Sequence, residues 1–113
     1  MRGDTIMQDE VQQIKGIVTE EIKRAGHQLM DVILFGSRAR GDAGEQSDWD
    51  VLVVTEEAMD VQTKQRVILS IKRRLAVLHI PNDVLLCSRE DIDLYKNDVG
   101  RIHYYALREG VRL

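Results

Sequence analysis

The sequence predicts an α+β domain, a small mixed β-sheet of about three strands flanked by helices. Two stretches carry apolar residues at three- and four-residue spacing, which is typical of helices that bury one face. Three short runs of mainly apolar residues are typical of buried strands. The chain has 113 residues, the size of one domain, so we expect residues 1–113 to share one core, with residues 1–8 disordered.

Helices are predicted at the start, in the middle and at the end of the chain. Residues 9–25 form the first, with Gly26 as its stop, and residues 60–79 form the second, ended by Pro81. A final helix is expected over residues 98–109, ended by Gly110. The apolar stripes of the first two helices are Val11, Ile14, Val18 and Ile22, and Val61, Ile68, Ile71, Leu75 and Leu78.

Three strands are predicted between these helices. They cover residues 31–35, 48–54 and 83–87. Residues 37–47 are polar and include Gly41 and Gly44, which indicates one turn of helix followed by a loop. The pattern does not decide how the strands pair.

Charge and cysteine content narrow the setting of the protein. The formal net charge is −3, which argues against direct nucleic-acid binding but allows a local basic pocket. No apolar run exceeds four residues, so membrane insertion is not expected. Cys87 is the single cysteine and cannot form an internal disulfide, so we expect a cytoplasmic protein. Its apolar neighbours predict that the Cys87 thiol is buried.

Three aspartates form a candidate metal site. In a strand, alternate side chains share a face, so Asp48 and Asp50 point one way and Trp49 the other. If Asp83 opens a neighbouring strand, its carboxylate can reach the same place. Such an oxygen-rich site suits Mg²⁺ or Mn²⁺.

A second candidate site lies where the first strand ends. Gly36 lets the backbone approach a phosphate closely, and Ser37 adds a hydroxyl at the start of a helical turn. Arg38 and Arg40 are candidate charge partners for the phosphates of a nucleoside triphosphate.

These residues resemble a known signature. The order Gly36-Ser37, ten residues, then Asp48-Trp49-Asp50 is similar to the motif of the DNA polymerase β nucleotidyltransferase superfamily. The short chain is similar to the minimal nucleotidyltransferases (MNT). Trp49 departs from the aliphatic residue usual at its position.

The resemblance assigns roles to the motif residues. It implies that Asp48 and Asp50 bind the metals, and that Asp83 completes the site and can act as a base. Ser47, which precedes the first aspartate, strengthens the resemblance and joins the candidate nucleotide-binding residues. The candidate nucleotide-binding residues are therefore Gly36, Ser37, Arg38, Arg40 and Ser47.

The resemblance also implies an activity and a partner. The activity is Mg²⁺-dependent transfer of a nucleoside monophosphate, AMP from ATP, to a hydroxyl group. The acceptor is expected to be a tyrosine of a HEPN-domain toxin, with this chain as its antitoxin. A binding module that only masks its partner and a small-molecule enzyme of the aminoglycoside type are the alternatives. Base preference, acceptor and homo- or hetero-oligomeric state stay open.

The remaining polar features favour structural interpretations. Asp91 and Asp93 are alternatives for the third acid but are expected to begin a helix. The run of residues 72–74 is expected to be a solvated helix face, with a nucleotide or partner contact as the alternative. The three histidines have no metal-ligand spacing. They are His27, His79 and His103.

Overall fold

The computed structural model describes residues 2–41, 44 and 47–113, with side chains from residue 9 onward. It confirms the predicted architecture, a mixed sheet flanked by helices. In chain order the elements are α1 (Arg2–Arg24), β1 (Leu29–Phe35), α2 (Ser37–Arg40), β2 (Trp49–Thr55), α3 (Val61–Val77), β3 (Asn82–Ser88), α4 (Arg89–Tyr95), α5 (Ile102–Glu109) and β4 (Val111–Arg112).

The sheet is mixed, and its strand order is β3-β2-β1-β4. Strands β1 and β2 pair antiparallel, whereas β2 and β3 pair parallel. Asp50 therefore lies opposite Phe35 on one side and opposite Asp83 on the other. This register brings the ends of three strands together at one end of the sheet.

The predicted elements differ from the observed ones mainly at their ends. Helix α1 begins at Arg2 instead of residue 9, and the disorder expected for residues 1–8 stays a prediction. Helix α3 ends at Val77, before Pro81, because the chain turns at His79, which has a left-handed φ of 60°. Gly26 and Gly110 follow α1 and α5 as predicted.

The C-terminal part needs a larger correction. The helix predicted from residue 98 starts only at Ile102, and a separate helix, α4, begins at Arg89. The Ser88 hydroxyl accepts a hydrogen bond from the Asp91 N–H, while the Asp91 carboxylate accepts one from the Ser88 N–H. This reciprocal cap confirms that Asp91 and Asp93 belong to a helix start. Strand β4 was not predicted, because two residues carry no periodic pattern.

Each face of the sheet has its own apolar core. Helices α1 and α3 cover one face, where Trp49, Val51 and Val53 of β2 are buried. The other face buries Leu52 and Val54 with the α5 residue Ala106. Alternation along β2 therefore places Asp50 on the second face and Trp49 on the first. No helix in the described part of the chain is long and apolar enough to span a membrane.

Candidate active site

The three predicted acids meet at one end of the sheet. Asp50 and Asp83 are paired across the parallel strands β2 and β3. Asp48 stands one residue before β2, although the strand was predicted to include it. Asp50 is half-buried, whereas Asp48 and Asp83 are exposed. The paired strands thus put one enclosed carboxylate beside two accessible ones.

The three acids interact electrostatically. Burial raises the pKa of Asp50, and the negative charges of Asp83 and Asp48 raise it further, while Arg40 lowers it. Yet among the described side chains no three acidic, His or Cys groups are already arranged around a metal position. Carboxylate oxygens are nevertheless the hard donors that Mg²⁺ or Mn²⁺ prefers, and the paired strands gather them at one end of the sheet.

Gly36 is required by its contact with Asp50. Its backbone has φ 75° and ψ −157°, a region open essentially to glycine. A Cβ atom at this position would lie 2.1 Å from Asp50 Oδ2 and 3.1 Å from Asp50 Cγ. The end of β1 thus presents bare backbone to the enclosed carboxylate. Ser37 follows as the first residue of α2 and is half-buried.

The two predicted arginines lie around the site with contacts of their own. The Arg38 guanidinium lies over the Trp49 ring at 4.8 Å and donates two hydrogen bonds, of 3.2 and 3.0 Å, to the Ser47 carbonyl oxygen. The Ser47 hydroxyl accepts a hydrogen bond of 3.0 Å from the Gly44 N–H. Arg38 therefore connects α2 with Ser47 and with the first residue of β2.

Arg40 lies between the acids and helix α5. Its guanidinium is 3.7 Å from a carboxylate oxygen of Glu109. Its positive charge also acts on Asp50 and lowers the pKa of that carboxyl group. Arg40 thus brings positive charge close to Asp50, and its predicted contact with phosphates stays a prediction.

Trp49 supports the acids from the opposite face of β2. Its side chain is 1% exposed, and its backbone N–H donates a hydrogen bond of 2.9 Å to the Pro81 carbonyl oxygen. Asn82 lies opposite Trp49 on β3. Within the described part of the chain, the Trp49 Nε1–H and Asn82 Oδ1 are buried without a hydrogen-bond partner. The aromatic residue that departs from the motif is therefore a core residue.

Lys72, in the basic run of residues 72–74, lies beside the third acid. Its Nζ lies 3.8 Å from Asp83 Oδ1 and donates a hydrogen bond of 3.4 Å to the Asn82 carbonyl oxygen. Arg73 is exposed, whereas Arg74 binds Glu20 at 2.7 Å and Glu21 at 2.9 Å on α1. The run is therefore solvent-accessible as predicted, and two of its three members also form ion pairs. The sequence does not distinguish these three basic residues from one another, because the packing of α3 decides where each side chain lies.

Two cavities lie on the second face of the sheet. One of about 630 Å³ lies between β1, β4, α4 and α5, near the far end of β1 from Gly36. Another, of about 300 Å³, lies along β3, and Leu52 and Leu85 line it two residues beyond Asp50 and Asp83. Its aromatic lining is Tyr95 and His103. Neither cavity is lined by Asp48, Asp50 or Asp83.

Comparison with solved structures supports the fold. A protein provisionally called a minimal nucleotidyltransferase is 24% identical, with a TM-score of 0.61 over 95% of both chains. A chain from the complex of a tri-AMPylated Shewanella oneidensis HEPN toxin with its MNT antitoxin is 15% identical, with a TM-score of 0.57 over 94% of this chain and 70% of that one. A toxin–antitoxin structure with AMP-PNP gives 16% identity and a TM-score of 0.55, over 86% and 69% of the chains.

Sequence comparison supplies the family. A Methanocaldococcus jannaschii protein that carries the provisional name of protein adenylyltransferase is 54% identical over 37 residues. That match spans 33% of this chain and 37% of the relative. Residues 11–102 match the family model described as a nucleotidyltransferase domain. With this match over most of its length, and with the motif glycine and aspartates gathered at one end of the sheet, the chain belongs to the nucleotidyltransferase domain family.

Proposed function

We propose that this protein is a Mg²⁺-dependent nucleotidyltransferase that moves AMP from ATP to a hydroxyl group of a partner protein. The observation that carries the proposal is the position of Asp50, enclosed between Asp83 and the backbone of Gly36 and coupled electrostatically to Asp48. Crowded carboxylates of this kind need a cation to offset their repulsion. A triphosphate–Mg²⁺ complex provides that cation next to a backbone that can approach phosphate.

Each residue of the site has a role in the proposed reaction. Asp48, Asp50 and Asp83 would hold divalent cations, which when bound neutralise the phosphates and lower the pKa of the attacking hydroxyl. Gly36 and Ser37 would bind the phosphates through backbone N–H groups and the serine hydroxyl. The positive charge of Arg40 assists at Asp50.

The transfer itself is a single displacement at phosphorus. The acceptor oxygen bonds to the α-phosphorus, and the bond from that phosphorus to the oxygen bridging to the β-phosphate breaks. Pyrophosphate leaves with the electron pair of the broken bond. The proton of the acceptor hydroxyl passes to the carboxylate of Asp83, which is exposed and accessible to an incoming substrate.

A HEPN-domain toxin is the partner that we propose, and a tyrosine is the acceptor. The support is the similarity in fold to a chain of a complex in which a HEPN toxin carries AMP groups. The provisional name of the M. jannaschii relative points to the same chemistry. The protein would then act as the antitoxin of the pair.

Intact-mass spectrometry tests this function. The protein is incubated with ATP, Mg²⁺ and a HEPN protein encoded beside it, and the mass of the partner should rise by whole AMP increments. The double variant Asp48→Asn with Asp50→Asn should give no increment. Asp93→Asn is the matched control, because it makes the same change at an exposed acid on α4. Two results together would establish masking instead of catalysis. The wild-type protein would add no AMP mass to the partner, and the double variant would still neutralise the partner fully.

A further inference from the structure

We infer that Lys72 is a built-in counter-ion of Asp83, which gives up this carboxylate when a metal–nucleotide complex binds and then faces the phosphates. This inference rests on the proposed function, because it assumes that divalent cations and a triphosphate occupy the acid cluster. It adds a residue from α3 that lies outside the Gly36-to-Asp50 motif.

Two contacts fix the position of the Lys72 ammonium group. It lies 3.8 Å from Asp83 Oδ1 and donates a hydrogen bond to the Asn82 carbonyl oxygen. Both contacts are to the first two residues of β3, so the ammonium group lies at the strand end that carries the third acid. Helix α3, whose buried residues include Ile71 and Leu75, thus places one positive charge at the site.

The exposure of the pair makes the contact exchangeable. The side chain of Lys72 is 39% exposed and that of Asp83 is 61% exposed. Ion pairs as accessible as this are weak, because water screens both charges. A divalent cation can therefore replace the ammonium group at Asp83 without a change in the fold.

The charges of the cluster favour the ion pair when no ligand is bound and its replacement when a metal–nucleotide complex binds. Without ligand, the ammonium group offsets part of the negative charge of Asp83, which lies opposite Asp50 across the paired strands β2 and β3. A metal ion that binds Asp83 takes over this task. The triphosphate that accompanies the metal then offers phosphate oxygens, which are strong partners for a displaced ammonium group.

The exchange predicts opposite effects on two ligands. In Lys72→Met, Mn²⁺ alone should bind about twofold to fivefold more tightly, because its competitor at Asp83 is gone. Binding of AMP-PNP with Mg²⁺ should weaken about tenfold, because a cation that faces the phosphates is lost. A residue that only stabilised the fold would not move the two affinities in opposite directions.

Electron paramagnetic resonance of free Mn²⁺ and calorimetry with AMP-PNP measure the two affinities. Arg73→Met is the matched control, since it removes the same charge from the next, exposed position of α3, and Lys72→Arg retains the charge. Circular dichroism establishes that every variant is folded. We expect the opposite shifts in Lys72→Met only.

Three results would overturn the inference. They are equal shifts in Lys72→Met and Arg73→Met, unchanged Mn²⁺ affinity in Lys72→Met, and unchanged AMP-PNP affinity in Lys72→Met. If the wild-type protein bound no Mn²⁺ at all, both the metal site of the proposed function and the role of Lys72 would be refuted. Wild-type binding without an effect of Lys72→Met would refute the role of Lys72 alone.

Discussion

At the scale of single residues, the close contact between Gly36 and Asp50 decides the geometry of the acids. The glycine has a backbone conformation that side chains rarely adopt, and its missing Cβ leaves room for the Asp50 carboxylate. The motif glycine therefore makes room for the aspartate, and its backbone conformation and its missing Cβ both favour glycine at this position.

Replacing Gly36 by alanine should damage both stability and activity. We expect Gly36→Ala to lower the free energy of unfolding by about 1–3 kcal/mol, because the new side chain is strained and collides with Asp50 Oδ2. Transfer activity should be lost as well, because Asp50 has to move. Urea denaturation and the mass assay measure the two effects.

Gly16→Ala provides the control. Gly16 lies inside α1. In the described part of the chain, nothing outside the helix backbone would lie within 4 Å of a Cβ added there, so alanine should stabilise the helix by up to about 1 kcal/mol. Equal behaviour of the two variants would show that the Gly36 contact has no special importance.

The raised pKa of Asp50 predicts how stability changes with pH. Because the pKa in the folded state lies above the ordinary value of 3.8, the folded protein holds this proton more tightly than the unfolded chain does. The contribution of Asp50 to stability is therefore full below pH 3.8 and is lost as the pH rises through the folded-state pKa. At neutral pH the ionised side chain destabilises the metal-free protein.

Asp50→Asn should thus raise the melting temperature of the metal-free protein at pH 7 by a few degrees. The gain should shrink as the pH is lowered toward 4, because wild-type Asp50 becomes protonated there. Scanning calorimetry across this range in EDTA, with Asp93→Asn as a control, measures the difference. A melting temperature that fell by more than about 8 °C at pH 7 would instead reveal a structural role for the carboxylate.

The motif residues could be predicted from sequence, but the support around them could not. Alternation along a strand, a local property, placed Asp48 and Asp50 together as candidates, and the turn after the first strand together with the resemblance added Gly36. The contact of Lys72 depends on how α3 packs on β3, which is a tertiary property. Likewise, the stacking of Arg38 on Trp49 depends on how α2 packs beside β2, which is also a tertiary property.

At the scale of elements, α4 shows how a local signal can define a helix. Ser88 is 4% exposed and forms both halves of a capping box with Asp91. The box also ends β3, so one residue terminates the strand and starts the helix. This signal lies in the sequence, where Ser88 is followed three residues later by an acid.

Loss of this cap should destabilise the second face of the sheet. We expect Ser88→Ala to cost about 0.5–2 kcal/mol of unfolding free energy, because the Asp91 N–H loses its partner. Ser70→Ala, a change inside α3, should be close to neutral and is the control. A cost for Ser88→Ala no larger than for Ser70→Ala would contradict the importance of the box.

The least predictable elements were those at the C-terminal end. Helix α5 and strand β4 are short, and β4 exists only because Ile33 and Leu34 of β1 have an edge to pair with. Its formation is decided by distant residues and leaves no trace in the local pattern. The long helices were predictable because their apolar stripes extend over several turns.

At the scale of the whole molecule, sheet topology assembles the site from distant parts of the sequence. Parallel pairing of β2 with β3 aligns Asp50 with Asp83, although a helix of 17 residues lies between these strands. The acids repel one another across this pairing, so ligands that offset the charge should stabilise the whole fold.

Thermal melting in the presence of Mg²⁺ and AMP-PNP tests this linkage. At a ligand concentration about 100 times the Kd, the folded state gains about 2.7 kcal/mol, which should raise the melting temperature by roughly 10 °C. The variant that combines Asp48→Asn with Asp50→Asn should show no comparable rise. A rise of the same size in the presence of EDTA would argue against a metal-dependent site.

The buried indole behind the acids turns the protein into its own optical probe. Trp49 is the single tryptophan of the chain, and it is set between Asp48 and Asp50 with an arginine stacked on its ring. Its fluorescence therefore comes from one place in the molecule and senses the electric field of that place. Any ligand that changes the charge or the spacing of the two aspartates should shift the emission, so occupancy can be followed without a label.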